Sequence, residues 1–188
     1  MTNQGVSYAR PGLASTLLML CAVAACSRGI STPVASTEIQ SMEADNVVFG
    51  MVSFLTTSGV REGRIEADTA YIFADSLKAD LRQMSIVFYD EDGRERATVS
   101  GTSGEWSQDT DRMVAYGDVV LFVHADSSTI ASQEIHYDPT QERVWSDSTT
   151  VRTMKDGSVT SGSAFESDMS FENIRIQDMR GGARRISQ

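Results

Sequence analysis

Met84-Ser-Ile-Val-Phe-Tyr89, the turn Asp90-Glu-Asp-Gly93 and the resuming run Ala97-Thr-Val-Ser-Gly101 decide how this chain is read. Met84, Ile86 and Phe88 recur at every second position, the period of a strand with one covered face. Asp92-Gly93 supplies the positive φ that a tight hairpin turn needs. The pattern spreads outward from there. Arg64-Ile-Glu-Ala67 and Tyr71-Ile-Phe-Ala74 alternate upstream, and Val119-Val-Leu-Phe-Val-His124 places Val119, Leu121 and Val123 together downstream. Val120 and Phe122 occupy the other face of that last run, so it is expected to be a central strand covered on both sides.

Similar runs recur at a fixed spacing. Val99 to Trp106 aligns with Ile130 to Tyr137, and Met113 to Val120 with Val144 to Val151, both at a shift of 130 − 99 = 144 − 113 = 31 positions. Looser copies run from Ile65 to Phe88 and from Val159 through Phe165 to Ile176. About four strand-turn-strand units, each burying its apolar face only by stacking on neighbours, predict an all-β fold, a stacked structure or jelly roll. Thr69 to Arg82 and Asp45 to Leu55 also fit amphipathic helices, but their β-branched and aromatic residues favour strands at least as well. Pro139, which follows Asp138, falls where a turn is wanted.

The chain has 188 residues, enough for one ordinary domain with a short appendage. With 16 basic and 26 acidic side chains the net charge is −10, which excludes nonspecific binding to nucleic acid phosphates. No phosphate-cradling G-x-x-x-x-G-K-[ST] loop, G-x-S-x-G elbow or H-E-x-x-H pair occurs. His124 and His136 lie in strand-like runs, far from any cysteine cluster, and make no zinc set. The acidic pairs Asp90/Asp92 and Asp109/Asp111 fall at turns, where carboxylates face water. No catalytic residue, metal ligand or cofactor is expected. Trp106, Tyr137 and Trp145 are read as caps on the core. An enzyme acting on carbohydrate through Asp109, Asp111 and Trp106 is the weaker alternative.

The ends read differently. Residues 1–25 hold one basic residue, Arg10, no acidic one, and the apolar stretch Leu13 to Ala25, which is shorter than the roughly 20 residues of a membrane span. This is the pattern of a signal peptide. Val23-Ala-Ala-Cys26 resembles a bacterial lipobox, which implies that Cys26 is lipidated and becomes the mature N-terminus. Of the two cysteines, Cys21 lies within the removed peptide, so no disulfide is expected. Residues 26–45, rich in Ser and Thr and containing Pro33, are expected to be a lipidated tether, 46–179 the domain, and 180–188 a fraying tail with paired glycines.

Ile65-Glu-Ala-Asp-Thr-Ala-Tyr71, Val87-Phe-Tyr-Asp-Glu-Asp-Gly93, Ser103-Gly-Glu-Trp106, Met113-Val-Ala-Tyr-Gly-Asp-Val-Val120 and Val159-Thr-Ser-Gly-Ser-Ala-Phe-Glu-Ser-Asp168 together resemble the LptC family of lipopolysaccharide-export proteins. The likeness spans roughly Asp45 to Met179. It implies a twisted, open, OstA-like β-jelly roll enclosing an apolar groove. Such a protein takes lipopolysaccharide from an inner-membrane ABC transporter and passes it to a periplasmic LptA-like bridge protein. Expected to meet acyl chains in the groove are Ile86, Phe88, Val99, Met113, Val119, Leu121, Val123, Ile135, Val151, Ile174 and Ile176. Partner edges are expected at Val47, Val48, Phe49, Phe54 and Leu55 for the transporter and at Phe171, Ile174, Ile176 and Met179 for the bridge protein. The resemblance favours the inner membrane for the anchor, whereas Ser27 after the cysteine favours the outer one. The alternative is a structural or adhesive surface β-lipoprotein that binds protein partners.

Overall fold

The computed structural model describes residues 44–184. The signal peptide, Cys26 and nearly all of the tether lie outside the described residues. The rest is built from strands: β1 (Asn46–Thr57), β2 (Val60–Phe73), β3 (Lys78–Tyr89), β4 (Glu95–Ser107), β5 (Arg112–Val123), β6 (Ser128–Asp138), β7 (Arg143–Ser146), β8 (Thr150–Thr153), β9 (Ser158–Gly162), β10 (Ala164–Asp168), β11 (Arg175–Gln177) and β12 (Arg180–Arg184). Both segments that could have been helical are strands, in β1 and in β2–β3.

Strands β1 to β6 pair antiparallel in chain order. Each is long, and β2, β3, β4 and β6 change phase near their middle. In β3 the inward positions are Ala79 and Leu81, then Met84, Ile86 and Phe88, with Val87 buried on the other face. In β2 they shift from Ile65 and Ala67 to Ala70, and in β6 from Ile130 and Ser132 to Ile135 and Tyr137. A one-residue slip turns a strand's other face inward, so these four strands serve one inner surface before the slip and another after it.

These slips line up across the ladder. Gly50 (φ 60°) in β1, Gln83 (φ 49°) in β3, and Gly117 (φ 72°) with Asp118 (φ 48°) in β5 occupy the same transverse row. The register jumps between Ser100 and Ser103 in β4 and between Tyr116 and Val119 in β5. Bulges and left-handed residues bend a strand and increase its twist. Here they form one crease. Gly117 is needed at it for two reasons, its positive φ and the Thr102 side chain, which a Cβ would approach to 3.2 Å.

The sheet therefore folds on itself into two layers. Phe88 of β3 shares a row with Ala97, Val123 and Ser128, so in a flat sheet Tyr137 of β6 would lie about 14 Å across and about 30 Å along the strands from it, about 33 Å away. Their ring centroids are 5.2 Å apart. Past β6 the sheet forks: β7, β10 and β11 continue one layer, and β8, β9 and β12 the other. At the fork the ladder of β6 is interrupted, and buried hydroxyls fill the gap. Ser132 Oγ lies 2.8 Å from Ser146 Oγ, and Ser146 Oγ accepts from the Ser148 amide at 3.1 Å. This is an all-β jelly roll.

The 31-position repeat has a direct structural counterpart. Trp106 pairs with Met113 across the β4–β5 hairpin, and Tyr137 with Val144 across β6–β7. Two expectations need correcting. Residues Arg180–Arg184, read as tail, form β12 on β9, because unpaired β9 backbone offers a ladder that asks nothing of side chains. Strand β5 is central by pairing, but only its inner face is covered, and Val120 on the outer face is 36 % exposed.

Candidate functional site

The interior between the layers holds the hydrophobic core of the described residues. Ile86, Phe88, Val99, Met113, Val119, Leu121, Val123 and Ile135 come together there with Ile65, Leu81, Ile130 and Phe165 in one buried cluster. Ile174 and Ile176 pack against it and are half-buried. Val151, expected in the same group, points outward from β8 and is 36 % exposed. It is the repeat partner of Val120, since 120 + 31 = 151, and both sit on outer faces.

The edge residues divide as well. Phe49, 68 % exposed, stands on β1 with Val48, Val52 and Phe54, also exposed, and Val47 is half-buried. Among the described residues strand β1 pairs only with β2, so no described strand covers its other edge. Leu55 is buried, because it faces inward opposite Gly63. At the far end β11 pairs, among the described residues, only with β10, and Met179 beyond it is exposed. Phe171 is 3 % exposed and belongs to the core, not to an edge.

Opposite the crease, the hairpin ends of the two layers face each other across a cleft of about 530 Å³. Thr57, Val60, Arg61 and Glu62 of the β1–β2 turn and Tyr89 to Glu91 of the β3–β4 turn line one side. Tyr137, Pro139, Glu142 and the loop residues Asp168, Met169 and Ser170 line the other. Arg61 and Arg96 are the cations at this mouth, against Glu62, Asp90, Glu91, Glu142 and Asp168. The balance is acidic and repels phosphate, while the Tyr137 ring leads inward to Phe88.

The loop after β10 closes the mouth. Phe171 lies 5.4 Å from Phe88, ring to ring. Its backbone has φ 57°, a left-handed conformation that costs a bulky residue on the order of 1–3 kcal/mol. Asp168 holds the loop: Ser170 Oγ donates to Oδ1 at 2.7 Å, Asn173 Nδ2 donates to Oδ2 at 2.5 Å, and the Phe171 amide donates to the Asp168 carbonyl at 3.2 Å. Burial pushes the Asp168 carboxyl up, but hydrogen bonds from Asn173, Ser170 and the Glu172 backbone outweigh it and hold the pKa below the ordinary value. Burial also pushes the Tyr137 hydroxyl well above the usual tyrosine range, with Glu62, Asp111 and Asp138 adding to the effect.

Asp138 anchors the rim next to Tyr137. Its side chain is buried, takes the Arg112 Nε at 2.9 Å, and accepts from the Thr140 and Gln141 amides at 2.9 and 3.2 Å. Asp138→Ala is expected to cost about 2 kcal/mol, since charge-assisted bonds contribute about 1.5–3 kcal/mol each and water replaces part of them. Urea unfolding measures this, and an unchanged midpoint would show that the β6–β7 ladder alone fixes the turn.

The remaining polar candidates serve the surface. Asp111 accepts from Trp106 Nε1 at 3.3 Å in the β4–β5 turn, and Asp109 takes only the Thr110 hydroxyl at 3.4 Å. His136 stacks on Trp145, ring centroids 5.0 Å apart, with the Arg143 guanidinium 4.5 Å from the Trp145 ring centre. Trp145 therefore packs on the outer face and does not cap the core. Sequence reasoning missed Phe171 as an interior residue, since it lies in an irregular loop outside any period.

A family model described as "Lipopolysaccharide-assembly, LptC-related" matches residues 14–181. No curated protein matches the sequence. Among solved structures, the chain is similar to LptH of Pseudomonas aeruginosa, described as the LptA-homologous periplasmic component of the lipopolysaccharide transport device. The identity is 16 %, the TM-score 0.48, and the match covers 61 % of this chain and 80 % of that one. The family match takes in nearly all of the creased sheet together with its forked end, and on it the chain belongs to the LptC-related family of lipopolysaccharide-assembly proteins.

Proposed function

We propose that this protein carries lipopolysaccharide by sheltering its acyl chains between the two layers, held at a membrane facing the periplasm by lipid on Cys26. One observation carries the reading. Each of β1 to β6 passes through the crease as continuous chain and is paired to its sheet neighbours on both sides of it, so parting the hairpin ends separates side chains but breaks no strand pairing. An apolar guest can then replace apolar contacts that the layers make with each other. Each sheltered methylene is worth about 0.8 kcal/mol, so ten on one chain amount to about 8 kcal/mol. The acidic mouth leaves the phosphorylated head group in water or on a partner.

The ends suit relay. The exposed apolar residues of β1 give the transporter a docking edge, and β11 with Met179 gives one to the bridge protein. The protein performs no chemistry in this role and needs no cofactor. Energy comes from the transporter.

Photocrosslinking tests the reading. With p-benzoylphenylalanine at Phe88, irradiation with lipopolysaccharide is expected to yield a crosslinked adduct on the full-length protein, whereas the same group at Thr98 on the outer face yields none. Equal labelling at both positions, or none at Phe88 in folded protein, rejects the conduit. It would leave a surface β-lipoprotein that binds protein partners, the reading favoured by the tight burial of Leu121 and its neighbours.

A further inference from the structure

We propose that Phe171 is a displaceable plug: its ring occupies the place at the mouth that an acyl chain takes when lipid enters, and the Asp168 loop is the latch that returns it. This inference rests on the conduit reading and specifies where the guest passes.

Three observations converge. First, the loop that lines one side of the cleft through Asp168, Met169 and Ser170 also carries the ring that seals the interior behind it. Second, that ring is not part of either layer. It follows β10, lies on no ladder, and stacks on Phe88, which itself stacks on Tyr137. Withdrawing it leaves the layers intact and exposes an aromatic pair directly below a cleft already open to solvent. Third, the plug is held against a cost. Phe171 adopts φ 57°, which an aromatic residue avoids, and release relieves that strain.

The latch is short-range and polar. Ser170 and Asn173 converge on the two oxygens of Asp168, and the Glu172 amide donates to Ser170 Oγ at 3.3 Å. Such bonds are readily exchanged for water, so the loop is tied firmly enough to close an empty protein and loosely enough to yield to a guest worth several methylenes. A plug of this kind taxes binding, because lipid meets only the fraction of molecules whose mouth is open.

The test uses the full-length chain with 4-fluorophenylalanine placed at Phe171 or at Phe88, followed by 19F NMR during addition of lipopolysaccharide. The expected result is that the Phe171 resonance moves from a buried to a solvent-like position while the Phe88 resonance stays buried and shifts. Phe171→Gly, which suits the left-handed backbone and removes the ring, is expected to lower the concentration for half-maximal crosslinking at Phe88 by about tenfold. Asn173→Ala, which only loosens the latch, gives a smaller change in the same direction and serves if the glycine variant fails to fold. A Phe171 resonance that stays buried while that of Phe88 responds overturns the plug and leaves the conduit standing. Silence at both positions, with no crosslink, removes the conduit itself.

Discussion

Leu121→Glu is expected to yield no folded protein. Leu121 is fully buried at the centre of β5, between Val99 of β4 and Ile130 of β6, and faces the opposite layer. Loss of its side chain alone costs about 2–5 kcal/mol, as for other buried leucines. An unpaired carboxylate adds several kcal/mol more, against a total stability of about 5–15 kcal/mol for a domain. Circular dichroism and thermal unfolding should show a chain without a cooperative transition at neutral pH. Leu121→Met, which keeps the volume, should cost less than about 1.5 kcal/mol. A glutamate variant that melts cooperatively near the parent temperature would mean that water already reaches β5 from inside. For the conduit this matters twice, because a charge at Leu121 cannot serve as a probe of lipid binding when it also abolishes the fold.

Gly162→Ala is the second large effect, and it acts at the opposite end. Gly162 closes β9, and a Cβ there would overlap the Gln177 carbonyl and the Ile176 side chain on β11. The Ser163 amide donates to the Gln177 carbonyl at 3.0 Å immediately beside it, and Ser163 Oγ donates to Asp178 Oδ2 at 2.7 Å. This is where the two branches of the forked sheet meet again. A backbone carbonyl cannot swing aside as a flexible side chain does, so β11 must leave β9 or distort. The expected cost is about 3 kcal/mol, the upper range for overpacking. It should appear as a lower urea midpoint and as faster amide exchange at Arg175 to Gln177, with β2 to β5 protected as before. Unchanged exchange in β11 would mean that this end yields without strain, and that the branches are not pinned there.

How much of this was legible in the sequence depended on what each residue answers to. Met84, Ile86 and Phe88 answer to a local period, and the structure buries all three. The slip between Leu81 and Met84 was also present in the text of the sequence, as apolar residues three apart inside an alternating run. Read as a phase change, it marks the crease. The 31-position repeat located the hairpins, and taken residue by residue it pairs Val151 with Val120, which both face outward. Two valines on an outer face look the same as buried ones when only composition is considered.

Long-range closure left no such trace. Phe171 enters the core from an irregular loop by way of a left-handed backbone, which no periodicity encodes. Arg180 to Arg184 join β9 by strand pairing, and a glycine-bearing segment without an apolar pattern gives no sign of that. Leu55 sits on an edge strand yet points inward, a matter of register with Gly63 rather than of strand order. Period and turn chemistry are local properties, whereas edges, plugs and the meeting of branches depend on which distant backbone remains unsatisfied.

Because β2 to β6 each pass through the crease as continuous chain, the angle between the layers is one shared variable, like the spine of a book whose pages are bound together. A passenger that wedges the covers apart at any page moves the rest with it. Bulky and slender cargo would thus be accommodated by a single coordinate, and stiffening the binding at Gly117 would narrow the range of sizes the whole volume can admit.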